Sequence, residues 1–508
     1  MNTIIPNQRT LIQWGAIALV GAALGVATIG ASVLPGKPGL LLLLAVLAPL
    51  LAMVVGDVRR LLLAAIMLDI PLQLDVYLWY RPEAAALGAI GGLNISVTTA
   101  ALLGLYGLWI VERLAKVRRP VPASFRPALP LGLYLGFAAL SAVAARDAML
   151  TLFELFMLTQ MFLLFIYVVS TVRTREEVLI LVTMLLIGLI LESLLMMAGA
   201  ALGRDFNLVG ASSGDGGTYS GGFFRPGGTF GAPNPAATYL RLLLAPAIGL
   251  VLARTGRWHR RLAAVASSLG GLALLLTLSR GGWAAAALSI VILCFFAWRR
   301  GWLSPAVPFA IALVVVLMAV VFQDLIVGRL FGDDASSAES RVPLMQLAFR
   351  AIEDHPLLGV GASNFAVVVK QYITPEFAQE WIYSVHNHYL LVWSETGPGG
   401  LLAFLLFLGV TLHRGWQVFR RSDRLLSPLA LGFTAAIVGH LGHMFVDLFN
   451  SRALVQLLWL IAALIAAMHA INPEQDLTGL RKPVRSLPRP PGTLPLPSGA
   501  SQVPQQAS

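Results

Sequence analysis

Apolar stretches of about 20 residues recur from Leu11 to Ala470, separated by short polar or charged segments. A helix rises about 1.5 Å per residue, so each stretch is long enough to cross a hydrocarbon core of about 30 Å. The pattern predicts 14 membrane-spanning helices, near residues 11–33, 38–56, 61–80, 94–112, 128–145, 150–170, 178–201, 236–253, 262–279, 282–298, 303–323, 389–412, 426–446 and 452–470. The expected fold is an all-α polytopic membrane domain over residues 1–470. A Pro-rich tail, 471–508, follows; its composition cannot build a core and predicts disorder. The first apolar run follows Arg9 as a signal peptide's would, but about 23 residues exceed an h-region of about 7–15, so it reads as a retained helix.

Composition excludes a soluble enzyme: 57% of the 508 residues are hydrophobic, only 12% are charged, and the mean hydropathy is +0.78. The net charge of +11 invites a nucleic-acid reading until the basic residues are located. Of the 36 Lys and Arg, 24 fall on one side, Arg9 and the residues in alternate connections around Arg59, Arg113 to Arg126, Arg173, Arg254 to Arg261, Arg299, Arg414 to Arg424 and Arg481 to Arg489. The positive-inside rule then explains the charge, with both termini cytoplasmic, the lipid bilayer as the partner and no nucleic acid. The sole cysteine, Cys294, sits in an apolar run, which leaves neither an intramolecular disulfide nor a Cys-based metal site.

Two extracytoplasmic segments are long enough to hold function: a Gly-rich loop at 203–235 and a loop at 324–387. In the second, Val342, Met345, Leu347, Ala348 and Ile352 recur at near-helical spacing, which predicts an amphipathic helix over Arg341 to Ile352 lying on the membrane domain. A synthetic reaction on that side has no ATP or nucleotide sugar to draw on, so its donor must arrive already activated, as a lipid-linked diphosphate does. No phosphate-cradling G-x-x-x-x-G-K-[ST] or post-strand G-x-G-x-x-G is present, and Gly359-Val360-Gly361 reads as a turn.

Only eight histidines occur. His440 and His443, three apart on one helix, face a common partner, a metal being one option. His386 and His388 flank Asn387 where the large loop re-enters the membrane; either both hold a metal, or one is active and the other packs. A neutral imidazole at that boundary suits a general base for a sugar hydroxyl. Arg225, Arg241 and Arg280 lie where the positive-inside rule disfavours them, and a charge near the bilayer centre costs at least about 2.5–3.5 kcal/mol. They either pair with acids such as Glu154, Glu192, Glu395 or Asp447, or converge on phosphate oxygens, which guanidinium forks match.

The run His386-Asn387, nine residues, then Gly397-Pro398-Gly399-Gly400 resembles the His-[Asn/Ser/Gln]-x9-Gly-x-x-Gly pattern of the bacterial O-antigen ligase and O-antigen polymerase superfamily. Arg341 to Phe365, Leu278 to Gly282, and Arg225 to Leu240 with Asn234-Pro235 are similar to further family patterns, so the resemblance covers about residues 220–410. It implies a GT-C-like glycan transfer from undecaprenyl diphosphate to an acceptor at the periplasmic face of the inner membrane, without metal or other cofactor. His386 would activate the acceptor hydroxyl, and Arg225 and Arg280 would hold the diphosphate. Asn387, Arg341, Arg350, Glu395, Asn234 and Arg241 are the expected substrate-binding residues around them. The acceptor is lipid A-core for a ligase, another repeat unit for a polymerase, or a protein hydroxyl for an oligosaccharyltransferase; the ligase is favoured. A transporter of lipid-linked glycans is the rival from another class, with acids at Asp69, Glu154 and Glu192 in its support.

Overall fold

The computed structural model describes residues 57–115, 125–205, 219–220, 223–304, 306, 341–374 and 383–471. The expected spans at 11–33 and 38–56, most of 303–323, the middle of the Gly-rich loop, residues 324–340 and the tail lie outside the described residues. Twelve helices organise the described chain: α1 Val58–Leu72, α2 Val97–Leu114, α3 Leu129–Leu140, α4 Ala148–Thr171, α5 Arg175–Leu202, α6 Pro233–Leu252, α7 Arg257–Leu276, α8 Arg280–Arg299, α9 Arg341–Asp354, α10 His388–Arg420, α11 Leu426–His443 and α12 Arg452–Ala470. Among the described residues, eight helical segments are long and apolar enough to cross a membrane, and α1, α7 and α11 occupy three more of the expected stretches. The protein is an all-α, multi-pass membrane protein.

One expected span is shorter than its apolar run. Instead of continuing from 61 to 80, α1 ends at Leu72, where Gln73 takes a left-handed conformation and Pro71 occupies the last turn. The chain then forms an antiparallel hairpin, β1 Asp75–Leu78 with β2 Leu93–Ser96, in register Asp75↔Ser96. Asp69 holds it down, accepting from the amides of Leu74 (3.2 Å) and Thr98 (3.1 Å) and from the Thr98 hydroxyl (2.7 Å). Arg452, at the start of α12, reaches both Asp69 (2.9 Å) and Asp75 (2.7 Å) and also bonds Gln456 (2.6 Å). All are buried, so this cation is matched by two acids.

α6 and α12 form the centre and are buried over most of their length. α6 packs against α5, α7, α8, α11 and α12. Its crossing with α11 is close because glycines replace side chains: a Cβ on Gly249 would lie 2.6 Å from the Pro428 carbonyl oxygen, and one on Gly432 2.6 Å from that of Ala245. Small residues are how helices approach in lipid, where packing rather than water exclusion drives association. At the bundle end opposite the hairpin, ion pairs tie helices together, among them Arg59–Glu112 (2.6 Å) and Arg175–Asp423 (2.6 Å).

α10 is broken inside the membrane domain. Gly397 adopts φ +70°, and Pro398 has no amide to give the Ser394 carbonyl. Two amides from the large loop take over: Val360 N–H donates to the Ser394 carbonyl (2.8 Å) and Gly361 N–H to that of Glu395 (3.0 Å). Gly359 and Gly361 have positive φ, and a Cβ on Gly359 would lie 2.6 Å from the same Ser394 oxygen. Asn364 secures this wedge to the start of α4, through the Asp147 amide (2.7 Å) and the Thr151 hydroxyl (2.9 Å).

Gly249→Ala should lower the thermal unfolding midpoint in detergent by an amount equivalent to about 1–3 kcal/mol, as overpacking does. Gly107→Ala, with open space around its Cβ, should leave it level or slightly raised. Equal midpoints for Gly249→Ala and the native protein would contradict the close crossing.

Candidate active site at the hairpin end of the bundle

Arg225 belongs to Arg225-Pro226-Gly227-Gly228-Thr229, a segment held by acids. Asp205 accepts from the amides of Gly227 (3.0 Å) and Gly228 (3.0 Å), and Glu192 from the Thr229 amide (3.0 Å) and hydroxyl (2.7 Å). Gly228 sits at φ +56° against the Glu192 carboxylate, where a side chain would collide with it. The pinned segment presents Arg225, whose Nε donates to the Thr277 carbonyl (2.9 Å) and whose Nη2 donates to Asn234 Oδ1 (3.3 Å). Arg225 thereby joins the end of α7 to the first turn of α6, where Pro233 and Pro235 are tolerated.

Thr277 opens the reversal between α7 and α8. Leu278 is held at φ +52°, a strained position for a branched side chain, and Ser279 caps α8 by accepting from the Gly282 amide (3.3 Å). Arg280 is therefore the first residue of α8. The next residue, Gly281, has no side chain because the His443 ring lies against it: a Cβ there would meet ring atoms Nε2 and Cδ2.

His443 and His440 reach the same guanidinium. Arg241, two turns along α6 from Asn234 and 1% exposed, donates from Nε to His443 Nδ1 (3.1 Å) and from Nη2 to His440 Nδ1 (2.6 Å). Phe449 lies at the centre of this group, with its ring 5.8 Å from the guanidinium carbon and 4.5 Å and 5.1 Å from the rings of His440 and His443. The two histidines do share a partner, as their spacing predicted, and it is an arginine. Among the described residues, no group of three His, Cys, Asp or Glu side chains could hold a metal.

His386 stands half-buried just before α10, with Tyr383 packed near its ring at 5.6 Å. The segment is carried by the hairpin loop, since the Ser384 amide donates to the Leu87 carbonyl (2.9 Å). His386 Nδ1 lies 3.1 Å from the Ser384 carbonyl. A carbonyl only accepts, so Nδ1 carries the hydrogen and Nε2 keeps the lone pair. Burial, and then the positive charge of Arg341, push the imidazole down to about 4, against the Ser384 bond, so it is neutral at pH 7. Arg341, the first residue of α9, acts also on Asp447, whose carboxyl burial pushes up to about 6 against its Leu448 N–H bond and the charges of Arg341 and Arg241.

His386, Arg341, Asp447, His443 and Arg241 thus form one electrostatic group, and Gly281 brings the start of α8 to it. Other candidate residues are engaged elsewhere. Asn387 caps α10, its Oδ1 accepting from the Leu390 amide (3.1 Å). Glu395 accepts from the Phe365 amide (3.2 Å), inside the wedge that closes the α10 break. Arg350 donates to the Tyr372 carbonyl (3.3 Å) and braces α9. His388 is buried at the start of α10, accepting from the Phe449 amide (3.4 Å) and packing against Phe404 and Phe449. The amphipathic helix runs to Asp354, and its buried stripe is Leu344, Leu347, Ala348, Ala351 and Ile352; Val342, expected on that face, is exposed. Val342 sits in the first turn, one position short of the stripe. Phe449 was missed by sequence reasoning, since one phenylalanine in a short connection carries no signal of a cation beside it.

Fold and side chains together define a multi-pass membrane protein with arginines and neutral histidines gathered at one end of its bundle. Residues 242–405 match the family model described as O-Antigen ligase, and the match supports the O-antigen ligase and polymerase superfamily for this chain. The matched stretch includes Arg280, Arg341 and His386, while Arg225, Asn234 and Arg241 precede it. No curated protein matches the chain.

Asn387→Ala should destabilise the protein by about 1 kcal/mol, the usual value of a helix cap, and Asn387→Asp should restore the thermal midpoint. If Asn387→Ala leaves the midpoint unmoved, the side chain is not acting as a cap.

Proposed function

We propose that this protein is a glycosyltransferase of the O-antigen ligase type, moving a glycan from undecaprenyl diphosphate to an acceptor hydroxyl, lipid A-core being the favoured acceptor. The site faces the periplasm from the inner membrane, with both termini in the cytoplasm, as the distribution of basic residues suggests. The observation that carries the reading is His386, whose Nδ1 contact with the Ser384 carbonyl fixes Nε2 as the basic nitrogen of a neutral imidazole, in the same group as Arg341.

In this mechanism the acceptor oxygen attacks the anomeric carbon as its proton passes to His386 Nε2. The bond from that carbon to the diphosphate breaks, and undecaprenyl diphosphate leaves with the electron pair. Attack from the opposite face inverts the anomeric centre, and no covalent enzyme intermediate forms. Arg225 and Arg280 stabilise the charge building on the departing diphosphate, because guanidinium forks match its oxygens and remain charged. Metal and nucleotide have no step in this scheme.

The test is transfer by purified protein in detergent, with undecaprenyl-diphosphate oligosaccharide as donor and lipid A-core as acceptor. Loss of a general base should slow His386→Ala on the order of 10²-fold or more with the fold retained. No product from the native protein sinks the ligase reading; product from the donor alone makes the protein a polymerase. Equal rates for native and His386→Ala would remove the histidine from the chemistry.

The pH profile gives a second check. Because the imidazole is pushed down to about 4, the base form persists through neutrality and transfer should fall only as the pH approaches that value. Arg341→Gln removes one of the lowering charges, so the acid limb should move up toward the ordinary imidazole value of about 6.5. Asp447→Asn, measured alongside, separates the contribution of the carboxyl near 6. A native limb at about 6.5 that Arg341→Gln leaves in place would contradict the assignment.

A further inference from the structure

We propose that His443 is a hydrogen-bond donor to the diphosphate of the lipid-linked donor, held in its Nε2–H form by Arg241; this inference rests on the transfer reading above. The argument begins with the arginine. A guanidinium has only N–H groups to offer, so every hydrogen bond it makes requires an acceptor. Arg241 Nε meets His443 Nδ1 at 3.1 Å, and that nitrogen must therefore present its lone pair. In a neutral imidazole the hydrogen then belongs to Nε2. His440 is set in the same way by the 2.6 Å contact from Nη2.

The position of that N–H gives it a use. His443 Nε2 lies against Gly281, the second residue of α8 and the neighbour of Arg280, and the absence of a side chain at Gly281 is what admits the ring. The Asp447 carboxylate stands 3.9 Å from Nε2, too far for a hydrogen bond. A donor thus stands, almost fully buried, at the positive end of a 20-residue helix whose first residue is Arg280. The second sign of an anion is Arg241 itself. It is 1% exposed, its Nη1 has no hydrogen-bond partner among the described residues, the acceptors it does have are neutral rings, and the carboxylate that acts on it, Asp447, makes no hydrogen bond to it. A buried cation held by neutral acceptors is stabilised by a negative group brought close to it.

The two histidines then have opposite roles. His386, with its hydrogen on Nδ1, accepts, whereas His443, with its hydrogen on Nε2, donates. The acceptor sugar's proton and the donor's diphosphate meet imidazoles fixed in different tautomers by a carbonyl in one case and a guanidinium in the other. No proton leaves His443 in this scheme; it contributes a hydrogen bond that strengthens as charge collects on the leaving oxygens.

Three substitutions at one position test this. Glutamine places an amide N–H near Nε2, asparagine places its amide near Nδ1, and alanine supplies neither. Binding of undecaprenyl diphosphate and the transfer KM for donor and acceptor are measured on folded protein, checked by thermal unfolding. A hydrogen bond to a charged group corresponds to about 10- to 100-fold in affinity. His443→Ala and His443→Asn should weaken undecaprenyl diphosphate binding and raise the donor KM by about that factor, with the acceptor KM unchanged, and His443→Gln should recover most of the loss. Native-like binding in His443→Ala, or equal loss in the glutamine and alanine variants, overturns the assignment while leaving the transferase reading intact. A native protein that neither binds undecaprenyl diphosphate nor transfers glycan overturns both.

Discussion

A guanidinium group keeps its proton under physiological conditions, and inside a bilayer it must be given acceptors or a counter-charge. Much of the architecture at the hairpin end follows from that constraint, applied twice. Arg452 receives two carboxylates, Asp69 and Asp75, and in doing so ties α12, α1 and the hairpin into one unit. Arg241 receives two imidazoles instead, which leaves its charge unneutralised by hydrogen-bonded acids and fixes both rings as acceptors at Nδ1. The first solution is structural and closed. The second depends on α6 and α11 crossing with glycine at the contact, so the packing of the membrane core sets the chemistry of the side chains above it.

Three segments build the site on this base, each anchored by polar groups that the helices supply. The Arg225 segment hangs from Glu192 and Asp205, the His386 segment from the hairpin loop at Leu87, and the large loop from the start of α4 through Asn364. The first two are too short to bury a core of their own, whereas the large loop packs Leu344, Leu347, Phe365 and Val369 into an apolar cluster with Val385 and Leu391. Their order comes from amides and carbonyls paired with residues far away in the chain, which is the requirement any backbone meets at membrane depth.

The helices were legible because apolar length is a strong, local signal; α4, α5, α8 and α12 begin and end within a few residues of the expected bounds. The β1–β2 hairpin was hidden because four-residue strands inside an apolar run leave too little alternation to read. That His440 and His443 share a partner was visible in their spacing. That the partner is Arg241 was not, since it depends on the α6–α11 crossing, about 200 residues apart in sequence. Glu395, which the sequence offers as an arginine's partner or a substrate-binding residue, accepts the Phe365 amide; nothing in the local sequence shows that a loop thirty residues upstream folds back onto α10.

The break in α10 bears on how the protein is made. A helix with two unpaired carbonyls about two turns from its start is costly to leave in lipid, each by several kcal/mol. The amides that satisfy them belong to Val360 and Gly361, which leave the ribosome before α10 does. The chain order therefore lets the loop be waiting when the broken helix arrives. A circular permutation that moved residues 341–374 behind α10 would preserve every contact of the finished fold and still reverse that sequence of events during membrane insertion.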